Sequence, residues 1–296
     1  MIRQNVQFVS QGLKCTGWFY RASSYNNLPC IIMAPGFGGV KEKGLSSYAA
    51  AFAEIGYHVL VFDYRHFGES EGEPRYILDI PKQLEDWHAA IGFARETEGV
   101  DSDRIILWGT SFSGGHVVSA AVKDGRIAAV ISQVPNLDGR ATAHVNSVFH
   151  ILQLTYASLR DNCQTALGNS PFYVKSFGNP GELAAMTAPG TVKAFQQIEP
   201  VDYDFSGDAV AGRVFLNVLF YSPGRLAGNL TIPWLVQIAQ YDQTTPISPA
   251  IKAAMQAPKS RLIMYKCGHF EMYIPPFYNQ VIQDQLLFLK SACPVD

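Results

Sequence analysis

The sequence predicts an α/β protein with a mostly parallel sheet of about eight strands, helices on both faces and a helical cap inserted late in the chain. Three observations carry this. Apolar strand-like runs alternate with helical stretches as far as Pro135, the alternation is lost between about 138 and 228, and it then returns to the C-terminus. The runs "CIIMAPG", "HVLVFDY", "RIILWGTS" and "WLVQIAQYD" are apolar almost throughout rather than at every second residue, as strands covered on both faces must be.

In chain order, residues 5 to 20 alternate polar and apolar side chains and read as two antiparallel strands. "CIIMAPG" follows, then a helix near 42 to 55, "HVLVFDY", a helix near 78 to 95, "RIILWGTS", a helix through "HVVSAAV", and "AAVISQVP". Helical patterns near 141 to 160, 182 to 198 and 207 to 221, separated by Gly and Pro, make 138–228 too structured for a loop. They are read as a helical cap, with 1–137 and 229–296 forming the core. "WLVQIAQYD", "RLIMYKCGH" and an amphipathic helix through "YNQVIQDQLLFLK" complete the core. Ligand crevices in open α/β sheets lie beyond the carboxyl ends of the strands, and a cap leaving from that edge would roof one.

Composition narrows the function classes. With 296 residues, a net charge of -2 and a pI near 6.4, the chain has no basic stripe for nucleic acid, so a small or apolar ligand is expected. Its five cysteines are odd in number, scattered and without CxxC spacing, which argues against a disulfide framework or a zinc site and for a reducing, cytoplasmic setting. The N-terminus carries no signal-peptide pattern, and no apolar run approaches a membrane span. "NLT" at 229–231 matches a glycosylation acceptor by chance in that setting. Neither a G-x-G-x-x-G fingerprint nor a P-loop lysine is present, and no metal or organic cofactor is expected.

The stretch "RIILWGTSFSGG" ends a strand on Ser111 wrapped in small residues, with a helix-compatible run behind it. A serine at such an apex projects its hydroxyl above the sheet edge, where the following helix offers free N–H groups to a developing oxyanion. Ser113 stands where G-x-S-x-G has its last glycine, so an extra hydroxyl must be accommodated. Alone, the motif favours a strand-to-helix turn with an inert serine. Two partners change that: Asp242 in "YDQTTP" and His269 in "CGHF" each follow a strand, in the order Ser, Asp, His that this type of sheet requires. The "MAPGFGG" loop can bring a second backbone donor to the serine, which makes the amides of Phe37 and Phe112 the expected oxyanion donors.

Together "APGFGG", "FDYRHFGESEGEP", "GTSFSGG", "YDQTTP" and "CGHF" make the whole chain resemble the α/β-hydrolase superfamily. "DYRHFGESEG", Asp63 to Gly72, resembles the turn after the fourth strand in dienelactone-hydrolase-like and serine-peptidase-like members. The cap segment "GNPGELAAMTAPG" is similar to polyketide transferase-like hydrolases of microbial secondary metabolism.

Other polar residues of the chain suit blander roles. His58 and Asp63 are five apart on a strand and face opposite ways. His66 reads as a turn histidine near the crevice, His116 as a packed helix residue, and Asp138 as the runner-up to Asp242. Most cap aromatics are expected to be cap core, with a minority lining an apolar pocket. The pocket candidates are Gly36, Phe37, His66, Phe149, Tyr221 and Phe270.

These features lead to the expectation of a serine hydrolase acting on an ester, thioester or lactone of a hydrophobic acyl compound, free or held on a carrier protein. An acyltransferase or cyclase using the same acyl-enzyme is the first alternative, and a non-catalytic ligand-binding protein on the same fold is the second. No nucleic-acid or membrane partner is expected, and a homodimer stays open.

Overall fold

A computed structural model describes residues 2–22, 27–198 and 208–295. The alternating N-terminus forms an antiparallel hairpin, β1 (Ile2–Ser10) and β2 (Leu13–Arg21). Its two-residue turn, Gln11 and Gly12, has positive φ at both positions, the twist that suits a tight hairpin. The apolar runs become β3 (Leu28–Ala34), β4 (His58–Phe62), β5 (Val100–Thr110) and β6 (Ala129–Gln133). Between them lie α1 (Ser46–Glu54), α2 (Ile80–Glu96) and α3 (Phe112–Asp124).

After β6 comes the insertion: α4 (Gly139–His144), α5 (Val148–Ala166), β7 (Tyr173–Phe177), β8 (Ala184–Met186), α6 (Thr191–Gln196), β9 (Ala209–Ala211) and α7 (Val214–Val218). A 3-10 segment, Pro223–Asn229, leads back into β10 (Trp234–Ala239), α8 (Ile247–Gln256), β11 (Ser260–Tyr265) and α9 (Phe277–Ala292). The main sheet has eight strands in the order β1-β2-β4-β3-β5-β6-β10-β11, with the β1–β2 and β2–β4 pairs antiparallel and the other pairs parallel.

That order places the functional edge. From β3 the chain moves outward to β4, then crosses back to lay β5 on the other side of β3. The connections after β3 and β5 therefore diverge, and the gap between the two strand ends is the crevice expected at such a switch point.

Each buried strand serves two cores with a period of two. Ile105 and Leu107 face the cluster under α2 and α3, which holds Trp87 and Val117. Ile106 and Trp108 face the opposite cluster with Tyr48 of α1 and Val281 of α9. No helix among the described residues is long and apolar enough to cross a membrane.

The insertion expected as a helical cap holds four helices among the described residues and three short strands as well. The helix expected over 141 to 160 is two helices, α4 and α5, with Ser147 capping the second by accepting from the His150 N–H at 3.2 Å. The expected helix over 182 to 198 is instead β8 and α6, broken at Pro189 and Gly190. The expected helix over 207 to 221 holds β9 and α7, while residues 199–207 lie outside the described residues. A second sheet, β8-β7-β9, stands beside the helices of the insertion. Pairing Tyr173 with Ala211 is a long-range contact, so helical spacing within a short window carries no sign of it.

Candidate active site

Strand β5 stops at Thr110 and α3 starts at Phe112, so one residue makes the whole turn. Ser111 does so at φ 54° and ψ -117°, a conformation that side chains rarely adopt. Two backbone bonds to the end of β6 hold it: the Ser111 N–H donates to the Gln133 carbonyl at 2.9 Å, and the Asn136 N–H donates to the Ser111 carbonyl at 2.8 Å. Gly109 is required beneath the turn, because a Cβ there would lie 2.1 Å from the Ser113 carbonyl oxygen.

Ser113 does more than fit. It is buried, its hydroxyl donates to the Pro35 carbonyl and it receives the Tyr64 hydroxyl, which in turn accepts from Trp87 Nε1 at 2.8 Å. The hydroxyl that departs from the glycine pattern thus ties the turn to the glycine-rich loop.

That loop closes directly on the serine. A Cβ on Gly36 would lie 3.0 Å from Ser111 Cβ and 3.5 Å from its Oγ, so only glycine lets the backbone come so near. The next residue, Phe37, packs its ring edge-on against Phe112 at 5.6 Å. Among the described residues the Phe37 N–H takes no hydrogen-bond partner, and the Phe112 N–H is free as the first of its helix.

Asp242 follows β10 and His269 follows β11. His269 Nδ1 and Asp242 Oδ2 are 2.7 Å apart, and both side chains are buried to within a few per cent. The other Asp242 oxygen accepts the N–H groups of Thr244 and Thr245, both at 2.8 Å, and the Thr245 hydroxyl donates to Oδ2 at 2.8 Å. Burial pushes the Asp242 carboxyl up, but His269 and these donors outweigh it and hold it below the usual carboxylate range. An ionised Asp242 fixes the proton on Nδ1, which leaves Nε2 as the acceptor.

Two cavities meet at Ser111 and Phe37. The larger, about 960 Å³ of space partly open to solvent, is walled by apolar residues of the cap, among them Ile151, Leu154, Phe215 and Leu219. The smaller, about 450 Å³, is lined by Gly36, His269, Phe270 and Tyr273 together with Phe177 and Phe195 of the cap. Ser111 and His269 therefore share a cavity, and no hydrogen bond joins them among the described residues.

Of the pocket candidates, Gly36, Phe37 and Phe270 line the smaller cavity together with Ser111. Three pocket candidates do not. His66 is buried in its own turn, its Nδ1 at 2.9 Å from the Pro74 carbonyl, and lines neither cavity. Tyr221 lies beneath the site, its hydroxyl 2.7 Å from His116 Nδ1 and its ring against Phe112. Phe149 is 64% exposed and borders an outer depression rather than the two cavities at Ser111.

Asp138 caps α4 through the N–H groups of Arg140 and Ala141. His116 packs as expected, its Nε2 3.0 Å from Gln83 Oε1. Sequence reasoning missed Thr245 and the Tyr64–Trp87 pair. Thr245 carried a signal, since Asp followed by Thr before a turn proline favours side-chain-to-backbone bonds. Tyr64 and Trp87 carried none, because they reach Ser113 only across the packed core. Among the described residues no cluster of His, Cys, Asp and Glu could hold a metal ion.

Comparison with known proteins places the fold and the family. Residues 19–171, more than half of the chain, match the X-Pro dipeptidyl-peptidase (S15) family. The quorum-quenching protein AidA of Acinetobacter baumannii (strain MDR-ZJ06) is 38% identical over 291 residues, covering 98% of this chain and 95% of that protein. The polyketide transferase ATR5 of Stachybotrys chlorohalonatus (strain IBT 40285) is 30% identical over 299 residues, covering 98% and 97%. The crystal structure of the α/β hydrolase GrgF from Penicillium sp. sh18 superimposes with a TM-score of 0.85 over 100% of both chains, at 24% identity. With its eight-stranded sheet, its serine turn and relatives along its whole length, the chain belongs to the α/β-hydrolase superfamily, in the S15 family, as a polyketide transferase-like protein.

Proposed function

We propose that the protein is a cofactor-independent serine hydrolase that cleaves a carboxylic ester, thioester or lactone of a hydrophobic acyl compound through an acyl-enzyme on Ser111. The observation that carries this reading is the buried 2.7 Å Asp242–His269 pair beside a cavity that also holds the strained Ser111. Ser111 Oγ attacks the acyl carbon while His269 Nε2 takes its proton, and Asp242 steadies the resulting imidazolium. The oxyanion then accepts the N–H groups of Phe37 and Phe112. Collapse breaks the bond to the alcohol or thiol, which leaves with the proton from His269. Water, deprotonated by the same histidine, releases the acid and restores the serine. The apolar cap walls suit an acyl chain rather than a charged peptide or a sugar.

Acyl transfer is the second reading. Ser111 is only 8% exposed, and an acyl-enzyme shielded from water passes its acyl group to an alcohol, amine or carbon nucleophile instead. The relative named a polyketide transferase is in keeping with it.

A fluorophosphonate should label the wild type and not Ser111→Ala, with circular dichroism showing both folded. Intact-mass spectra after exposure to p-nitrophenyl esters and acyl thioesters then separate the outcomes. Rapid appearance of free acid means hydrolysis, and an adduct cleared only by added alcohol or amine means transfer. A folded wild type that is neither labelled nor acylated overturns the proposal in favour of non-catalytic ligand binding.

A further inference from the structure

Helix α5 has two apolar faces, and the site uses only one of them. Ile151 and Leu154 wall the larger cavity at Ser111. The opposite face carries Val148, Phe149, Leu152, Tyr156 and Leu159, each more than half exposed to solvent. The helix is seated between these faces by polar anchors, chiefly buried Asp161, which accepts the N–H groups of Phe172 and Arg213 and pairs with the Arg213 guanidinium. A row of large apolar side chains turned to water is the reverse of what the hydrophobic effect builds on the outside of a lone molecule.

The outward stripe is regular. From Val145, just before the helix, through Phe149, Leu152 and Tyr156 to Leu159 the steps are four, three, four and three residues, the spacing by which one helix seats against another. Its flanks are neutral, with Gln153, Thr155 and Asn162 beside it. Arg160 is the one exposed charge of α5, and its guanidinium lies 4.0 Å from the centre of the Phe172 ring. An acidic partner or an anionic membrane calls for a row of cations, and α5 offers a single one. An identical neutral stripe meets no such obstacle. Together these side chains expose on the order of 600 Å², the upper end of what a lone monomer shows. Two copies related by a two-fold axis cover about 1,200 Å² between them, the size at which specific interfaces begin.

We propose that the outward face of α5 is a self-complementary interface, covered by α5 of a second copy of this chain, with Leu152 at the two-fold axis. As the middle step of the stripe, Leu152 meets Leu152 of the partner subunit whether the two helices run parallel or antiparallel. The interface stands at the entrance to the site, because Val145 lines the larger cavity at Ser111 and Phe149 the depression outside it. The pairing goes beyond the Ser111 reading and does not rest on it.

Sedimentation equilibrium of the full chain at micromolar concentration should give about twice the 32.6 kDa of one copy. Leu152→Glu sets two carboxylates against each other at the axis and should weaken self-association about 100-fold. Its circular dichroism should match the wild type, because the side chain it replaces is exposed. Met255→Glu, at an exposed apolar side chain of α8, should leave the dimer intact. Cross-linking gives a readout that introduces no charge. In Cys163→Ser, which removes the exposed thiol, a cysteine introduced by Leu152→Cys should be joined across the dimer by a short bismaleimide.

A wild type that stays monomeric at about 100 µM overturns the proposal. So does a dimer that survives Leu152→Glu and gives no cross-link in Leu152→Cys, since its interface then lies elsewhere. A monomer that floats with phosphatidylcholine vesicles, and ceases to do so in Leu152→Glu, gives the face to a membrane and overturns the proposal as well.

Discussion

Replacing Ser113 by alanine isolates the hydroxyl that sets this chain apart from the G-x-S-x-G pattern. The hydroxyl joins three groups that are buried or in the main chain: it donates to the Pro35 carbonyl, accepts from Tyr64, and through Tyr64 reaches Trp87 Nε1. Ser113, Tyr64 and Trp87 are each at most 1% exposed, so water cannot readily take its place. In Ser113→Ala the Pro35 carbonyl loses a donor and the Tyr64 hydroxyl loses an acceptor. At roughly 1–3 kcal/mol for each unsatisfied buried group, the expected destabilisation is about 3 kcal/mol.

The kinetic effect is separate. Pro35 lies two residues before Phe37, whose amide is the proposed oxyanion donor, and removal of one such donor costs on the order of 10²–10³ in kcat. A loop that is loosened rather than lost should give a fall of about tenfold in kcat with KM little changed. Urea unfolding monitored by fluorescence gives the first number, and steady-state hydrolysis of a short p-nitrophenyl ester gives the second. A Ser113→Ala protein with parental urea midpoint and parental kcat would show the hydroxyl to be a passive occupant. A loss of stability with unchanged kcat would keep the network and refute its link to the oxyanion loop.

Gly36→Ala pushes a methyl to 3.0 Å from Ser111 Cβ and 3.4 Å from the Thr110 carbonyl, neither of which can swing away. It should lower kcat by about 10² or more and lower the melting temperature as well, the overpacking costing about 1–3 kcal/mol, as checked by kinetics and calorimetry. His116 is fully buried, and burial pushes its pKa down to about 3. Between that value and the unfolded pKa near 6.5 only the unfolded state binds the proton, so stability is present above pH 6.5 and falls as the solution is acidified. By pH 5 this one group should have removed about 2 kcal/mol, at ~1.4 kcal/mol per pH unit. Urea midpoints at pH 7.5 and pH 5 should therefore differ less in His116→Gln than in the wild type.

The parallel strands were legible because their apolar runs lie within single segments, and Ser111, Asp242 and His269 were legible as candidates because each comes soon after one. His66 and Tyr221 were misplaced for the opposite reason. His66 sits at φ 70° under Gly72, where a Cβ would come 2.6 Å from its Nδ1, a fold-back that no local spacing announces. Tyr221 is drawn below the site by His116 and Phe112, both more than a hundred residues earlier. The helical spacing of 182 to 198 was misleading because β7 offered β8 a partner strand.

The sequence by itself determined the order of the elements and the edge on which the chemistry stands, since parallel strands point their carboxyl ends the same way and whatever follows them gathers there. Only the tertiary structure decided what surrounds that edge. The Ser113 hydroxyl finds Pro35 and Tyr64, and the cap walls close over Ser111. These outcomes depend on contacts between segments far apart in the chain, and their free energies arise from packing that exists only once both segments are in place.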